Sequence, residues 1–374
     1  MSIATLSITE DGATSGEMRQ LLRQGLETVL ARHGSFDQRR EAHHTPVGHS
    51  AAAWSAYAEL GLLAMGLPEA HGGLPGSLAD VAMAAELLGG ALALEPYRAT
   101  MVAARLLAAA GTAAQQAAWL PSLAAGTRKA ALAHAERAVA LDEPIAAEAT
   151  RSGSGWRLNG RKSVVPGGDV ADMFLLSARA EGGIGLFLIS AAAVERRAYG
   201  CFDWTGGADL LLADTFVPEE AKLEGAGEAL ALALDETTAL ACADAVGAIR
   251  AANALTRDHA RTRRQFGLPI GGFQVLQHRM ADMAVAEEMA AAITEAAVSA
   301  CMQVDAVARS RAVSAAKVKV GEAARHVGQQ CVQIHGGMGL TEEYPAAHYF
   351  ARLGLFEQMF GSRDEHVRRF MKLG

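Results

Sequence analysis

Three patterns of apolar and polar positions follow one another along the chain. From residue 16 to 125, apolar residues recur at helical spacing, broken by the turn-rich stretches "HTPVGHS" and "PEAHGGLPGS". From about 129 to 222 the apolar runs shorten to strand length: "KAALAHA", "WRLNGRKSVV", "DMFLLSAR", "IGLFLIS" and "LLLADTFV", separated by Gly, Asn and Asp. Helical periodicity then returns in long segments over 226–257, 273–302, 305–334 and 345–358. Helices, strands and helices in separate blocks predict an α+β chain with discrete layers, since a doubly wound sheet would alternate them. The expected organisation is an N-terminal helical domain over 1–125, a mostly antiparallel, barrel-like β domain over 126–222, and a C-terminal four-helix bundle over 223–374. Within the second apolar run of the β block, Asn159-Gly160 predicts a hairpin turn.

Composition agrees with a helix-dominated chain. Of 374 residues, 51% are hydrophobic and only 5% aromatic, and Ala and Leu head the helix-propensity ranking. The length exceeds what one core usually organises. A net charge of −7 without basic blocks argues against a nucleic-acid partner. The first residues, "MSIATLSITEDGATSGEM", have neither the basic nor the apolar region of a secretory signal, and no uncharged apolar run is long enough to predict a membrane span. Cys201, Cys242, Cys301 and Cys331 are widely spaced and form neither a CxxC pair nor a metal spacing. They predict reduced thiols in a cytoplasmic protein.

The common catalytic signatures are absent. There is no phosphate-binding GxxxxGK[ST], no HExxH and no GxSxG; "GGIGLF" and "GAGEA" fit the dinucleotide fingerprint poorly. His43, His44 and His49 lie in a polar stretch without acidic companions and predict solvated loop histidines, with no metal expected. Two longer stretches carry more. "RTRRQFGLPIGGFQVLQHRMADM", residues 261–283, reads as a basic helix end, a turn and a new helix, with Gln274 and His278 on the outside. Paired arginines beside a helix start suit a phosphate-bearing ligand. "QIHGGMGLTEEYP", residues 333–345, ends a helix in a Gly-Gly turn, where bare backbone can approach a ligand.

These two stretches, in this order behind a helical and then a β block, closely resemble the acyl-CoA dehydrogenase family. "GLLAMGLPEAHGG" at 61–73 resembles its N-terminal domain, and the likeness runs over about 16–370. "GGALALEPY", "LDETTALACADAVGA", "IGGFQVLQHRMADM" and "HYFARL" carry a narrower likeness to small subunits of pimeloyl-CoA dehydrogenases. The resemblance implies FAD at a subunit interface and a glutamate that takes the α-proton of an acyl-CoA thioester. It also implies hydride transfer from Cβ to the flavin and an electron-transferring flavoprotein as acceptor. By the same resemblance Arg263, Phe266, Gln274, Gln333, Gly336, Gly337 and Ser362 match cofactor-binding positions.

The chain departs from the family where the chemistry is done. "FEQMFGSRDEH", residues 356–366, matches the active-site loop, yet Phe360 stands where the family places its base. The alternative base position, on the first long C-terminal helix, holds Thr237. Glu236 is one residue off and turned about 100° away. Asp244, two turns further on, is the one candidate for a relocated base; it would otherwise make a polar contact within the core or with a partner helix. Asp364 and Glu365 are expected as helix N-terminal charges. The family's flavin-ring hydroxyls and its Trp are replaced by Ala135, Val164 and Pro166, and the arginine that grips CoA by Thr238. What matches is offered to a neighbouring subunit's flavin; what is lost serves a flavin of the chain's own. The expected role is thus a base-lacking subunit that completes the FAD site of a larger catalytic homologue. The alternatives are a self-sufficient homotetramer with a relocated carboxylate and an inactive binding or scaffold homologue.

Overall fold

The computed structural model describes residues 15–136 and 144–374. Six helices come first: α1 Ser15–His33, α2 Phe36–His43, α3 Ala51–Glu59, α4 Leu78–Gly90, α5 Tyr97–Ala110 and α6 Ala113–Ala124. Polar residues start several of them; Ser35 and Thr112 close capping boxes with Gln38 and Gln115. Seven strands follow: β1 Ala130–Ala133, β2 Glu148–Ser152, β3 Gly155–Pro166, β4 Met173–Ala180, β5 Gly183–Ser190, β6 Glu195–Gly200 and β7 Gly206–Pro218. They form one sheet in the order β1-β4-β2-β3-β7-β6, with β5 on β4. β1 runs parallel to β4, whereas β2–β3, β3–β7, β4–β5 and β6–β7 are antiparallel.

The remainder is helical apart from a short hairpin. α7 spans Ala226–Thr262; β8 Arg264–Gln265 and β9 Leu268–Pro269 make the hairpin; α8 Gln274–Cys301, α9 Ala306–His335, α10 Pro345–Gln358 and α11 Arg363–Lys372 complete the chain. One continuous apolar core joins the N-terminal helices to α7–α10, and a second lies within the sheet around Trp156, Phe174 and Phe187. The two helical groups meet where α4 crosses α7 on glycines. A Cβ at Gly247 would stand 1.8 Å from the carbonyl oxygen of Glu86, and one at Gly89 would stand 2.1 Å from that of Asp244. This contact sets Asp244 against the α4–α5 connection.

Several expectations are corrected. Asn159-Gly160 is not a hairpin turn. It lies inside β3, where the register slips between Leu158 and Gly160. The Asn159 side chain accepts the N–H of Asp214 at 2.8 Å, and a Cβ at Gly160 would sit 2.7 Å from Ala147 Cα. The hairpin turn falls instead at Gly153-Ser154, between the paired ends Ser152 and Gly155 of β2 and β3. The strand pattern also passed over β2 and β6, whose charged, largely exposed residues lack an apolar alternation. A fifth C-terminal helix, α11, adds to the four expected.

Candidate active site and cofactor edge

A cavity of about 440 Å³ opens where the two helical groups meet the sheet. Its walls come from the segment after α2, the α4–α5 connection, the end of β3, the β6–β7 turn, one face of α7 and the end of α10. Two of the histidines expected in solvent belong to it. His49 is buried and bonded through Nδ1 to the Val47 carbonyl at 2.8 Å, and His43 stacks on Trp204 with ring centroids 4.5 Å apart. Burial holds both imidazoles below their ordinary value. Only His44 is exposed, and among the described residues no cluster of His, Cys, Asp or Glu could hold a metal ion.

Phe360 and Thr237 both line the cavity, so the two positions without an acid face one space. Thr237 turns its hydroxyl back onto the Ala233 carbonyl at 2.7 Å, and Thr238 does the same to Leu234 at 3.0 Å. Phe360 takes a left-handed backbone with φ 60°, an unfavourable place for a bulky side chain. Its neighbours hold it there. His366 Nε2 donates to the Phe360 carbonyl at 2.8 Å, and the buried Lys317 ammonium donates to the Gly361 carbonyl at 3.0 Å. Burial lowers His366 to about 4 and Lys317 to about 8. Ser362 closes a capping box with Glu365 at the start of α11, where Asp364 and Glu365 supply the expected N-terminal charges.

Two of the acids nearby, Glu236 and Asp244, are committed elsewhere. Glu236 is absent from the cavity wall and forms a two-point pair with Arg105 at 2.7 and 3.0 Å. Asp244 does line the cavity, but its two oxygens face Arg98 at 3.3 Å and Arg352 at 3.5 Å. Arg352 also grips Asp203 at 2.8 Å, and Arg39 donates to the Asp203 carbonyl at 2.7 Å. Protonating Asp244 would sacrifice two ion pairs in a buried network.

Sequence reasoning passed over two further carboxyls on the wall, Glu95 and Asp169. Burial raises both above the usual carboxylate range. Glu95 accepts from the Ser50 N–H at 3.0 Å and the Tyr57 hydroxyl at 3.2 Å, while one oxygen of Asp169 is buried without a partner. The available signals were an acid inside "ALALEPY" and another in the turn "PGGDV".

Ala135, Val164 and Pro166 also line this cavity, at the wall where the resemblance would seat a flavin ring. The ring's carbonyl and imine atoms call for donors. Here the Ser163 N–H is spent on the Ala135 carbonyl at 2.8 Å, the Val164 N–H on Asp209 at 3.0 Å, and Pro166 has none. The segment is locked from below by the fully buried Lys162, which donates to Glu136 at 2.8 Å and to the His134 carbonyl at 3.0 Å. Ser163, Val164 and Pro166 therefore offer a flavin ring no backbone donor.

The remaining candidates lie on a separate, exposed edge. Arg263 follows α7, Phe266 tips the β8–β9 hairpin at 91% exposure, Gln274 begins α8, and Gln333, Gly336 and Gly337 close α9. All six are exposed and none lines the cavity. A Cβ at Gly336 or Gly337 would meet nothing within 4 Å, so the turn presents bare backbone to open space. An exposed guanidinium, two carboxamides and bare amides fit a pyrophosphate and a purine. Ser362 belongs to neither group; its side chain is engaged in the α11 cap.

Family models for the acyl-CoA dehydrogenase N-terminal domain and C-terminal domain match residues 14–127 and 225–372, well over half of the chain together. The chain belongs to the acyl-CoA dehydrogenase family. That family is FAD-binding and its members are oxidoreductases. The acyl-CoA dehydrogenase FadE12 of Mycobacterium tuberculosis is 29% identical over 91% of both chains. The acyl-CoA dehydrogenase IpdE2 of Mycolicibacterium smegmatis is 28% identical over 94% of this chain and 97% of its own. Among solved structures, a variant of the Tcur3481–Tcur3483 steroid ACAD superposes with a TM-score of 0.89 at 29% identity, covering 96% of this chain and 98% of that one. A chain of the ChsE4–ChsE5 complex from Mycobacterium tuberculosis gives 0.88 at 26%, covering 95% and 96%. Among the described residues, no helix is long and apolar enough to cross a membrane.

Proposed function

We propose that this chain is the base-lacking small subunit of a hetero-oligomeric, FAD-dependent acyl-CoA dehydrogenase, completing the cofactor site of a larger catalytic homologue. The observation that carries the reading is the separation of its two residue sets. The cavity positions hold Phe360, Thr237, Val164 and Pro166, which supply neither a proton acceptor nor free donors to a ring. The intact positions stand together on an exposed edge where another subunit can reach them. Two similar structures are described by paired names, Tcur3481–Tcur3483 and ChsE4–ChsE5, which supports a heteromeric assembly.

In such an assembly FAD, once bound, would supply the hydride acceptor for Cβ of the acyl thioester, with an electron-transferring flavoprotein as the onward electron acceptor. This chain's residues bind and orient. Arg263 would pair with the pyrophosphate, the amides of Gly336 and Gly337 would serve the same group, and Gln274 and Gln333 would serve the adenosine end. Phe266 is the apolar tip that enters the neighbour. The α-proton goes to a carboxylate of the larger subunit, where a dry pocket raises a base towards working pH. The three-domain division at 1–125, 126–222 and 223–374 and a cytoplasmic setting, in keeping with four free thiols, belong to the same reading. So does the narrower likeness to pimeloyl-CoA dehydrogenase small subunits.

The test is co-expression with a larger homologue that has the glutamate intact. The reading expects a colourless chain alone and a yellow complex that acyl-CoA bleaches. A yellow homotetramer that bleaches by itself would instead mean a relocated base, and a chain that stays colourless with every partner would mean a scaffold.

A further inference from the structure

The exposed edge is assembled from two chain segments far apart in sequence, and a pair of imidazoles joins them. His259 lies near the end of α7 and His335 is the last residue of α9; their ring centroids are 4.3 Å apart at 31°. Each is tied to the edge residues beyond it. The Arg263 N–H donates to the His259 carbonyl at 2.8 Å, and Gly336 follows His335 directly. The tautomer of His335 is fixed by its partner: Nδ1–H donates to the Cys331 carbonyl at 2.7 Å. Its Nε2 carries no hydrogen in that tautomer and makes no well-formed hydrogen bond, with the Leu255 carbonyl as its neighbour.

We propose that His259 and His335 are positioning residues, a proton-sensitive clamp that holds the Arg263 segment and the Gly336–Gly337 turn in register while both rings are neutral. Protonating His335 would set a positive charge in a mostly buried site 4.3 Å from the His259 ring, on the side where Arg263 already stands, with only the Cys331 and Leu255 carbonyls to receive it. No carboxylate faces the pair closely enough to compensate. From α7, His259 is flanked by Arg263, and Asp258 is paired at 3.7 Å with Arg261 in solvent. From α9, Cys331 contributes a thiol that burial keeps protonated. From the α10 side, Tyr344 packs its ring 5.2 Å from His335. Burial holds both imidazoles below their ordinary value, and His259 is lowered further by the His335 ring and Arg263. A depressed imidazole value means that the clamp's contribution is complete above the unfolded value and is lost as pH falls through the folded one.

The inference rests on the reading that this edge holds a partner's cofactor, but the clamp is a property of the isolated chain and is measured there. Hydrogen exchange of the full chain, corrected for intrinsic rates, is compared at about pH 7.5 and about pH 5.5. Segments 259–270 and 333–345 are expected to lose protection together by about tenfold at the lower pH, with α5 unchanged. His335→Phe, and independently His259→Phe, keep a ring in the stack without a proton site and abolish that pH dependence. Equal protection of both segments at the two pH values in the parent chain overturns the clamp, as does the same acid loss in both variants. If the clamp opens on schedule while an assembled complex keeps its FAD across the same range, the clamp stands and the cofactor-edge reading falls.

Discussion

Lys317 donates to the carbonyl oxygen of Gly361 at 3.0 Å and thereby pins the turn on which Phe360 stands. The turn at which the resemblance would place an acid is thus held by a buried ammonium and carries a phenyl ring instead. The ammonium meets only carbonyls, Gly361 and Glu357, and lies 4.5 Å over the Phe356 ring.

Lys317→Met removes this anchor. Hydrogen bonds from charged groups contribute about 1.5–3 kcal/mol, and the variant is expected to lose stability in that range in urea unfolding. Burial lowers Lys317 to about 8, below its unfolded value, so the folded state sheds its proton first. The parent chain should therefore gain stability relative to the variant as pH rises from 8 towards the unfolded value. A stability difference that is flat with pH would argue against the burial of this charge.

Phe360→Glu puts a carboxylate at the position where the resemblance places the base. The isolated variant is expected to show no acyl-CoA-dependent dye reduction, because Val164 and Pro166 still offer a ring no donors. Turnover by the isolated variant, assayed over a range of acyl-CoA chain lengths, would mean that the cavity seats flavin after all.

Asp244→Asn tests the relocated-base candidate that the sequence offered. Its carboxylate balances Arg98 and Arg352, and breaking a buried ion pair typically costs about 3–5 kcal/mol. The shared Asp203 retains part of the balance, so a loss of about 2–3 kcal/mol is expected by denaturation. Once refolded and assembled, the complex should dehydrogenate acyl-CoA at the parent rate. A stable but inactive assembly would make Asp244 the base.

Arg263→Ala changes an exposed side chain and should leave the melting temperature of the isolated chain unmoved. The assembled complex should retain FAD about 10–100-fold less tightly, as expected on losing one charge-assisted phosphate contact. Dialysis against dilute FAD followed by flavin absorbance reads the difference.

The helices were legible because their apolar periodicity is strong and uninterrupted, and the alternation of β4 and β5 with turns was equally plain. Other features depended on contacts made at a distance. Asn159-Gly160 reads as a turn until Asp214 and Ala147 are brought beside it. The polar stretch around His49 reads as solvated, yet its imidazole bonds to its own turn and sinks beneath Lys129 and Trp54. The ladder Arg39–Asp203–Arg352–Asp244 draws on four separated segments, and no local spacing announces it. Phe360 and Thr237, by contrast, could be singled out because a motif points to where the resemblance places an acid, and both positions do line the cavity.

The number of flavins in a purified hetero-oligomer decides whether this chain's own cavity carries a cofactor. Absorbance and chain quantification should give FAD equal in number to the larger subunits, with none attributable to this chain's own cavity. One FAD for every chain of both kinds would contradict that expectation.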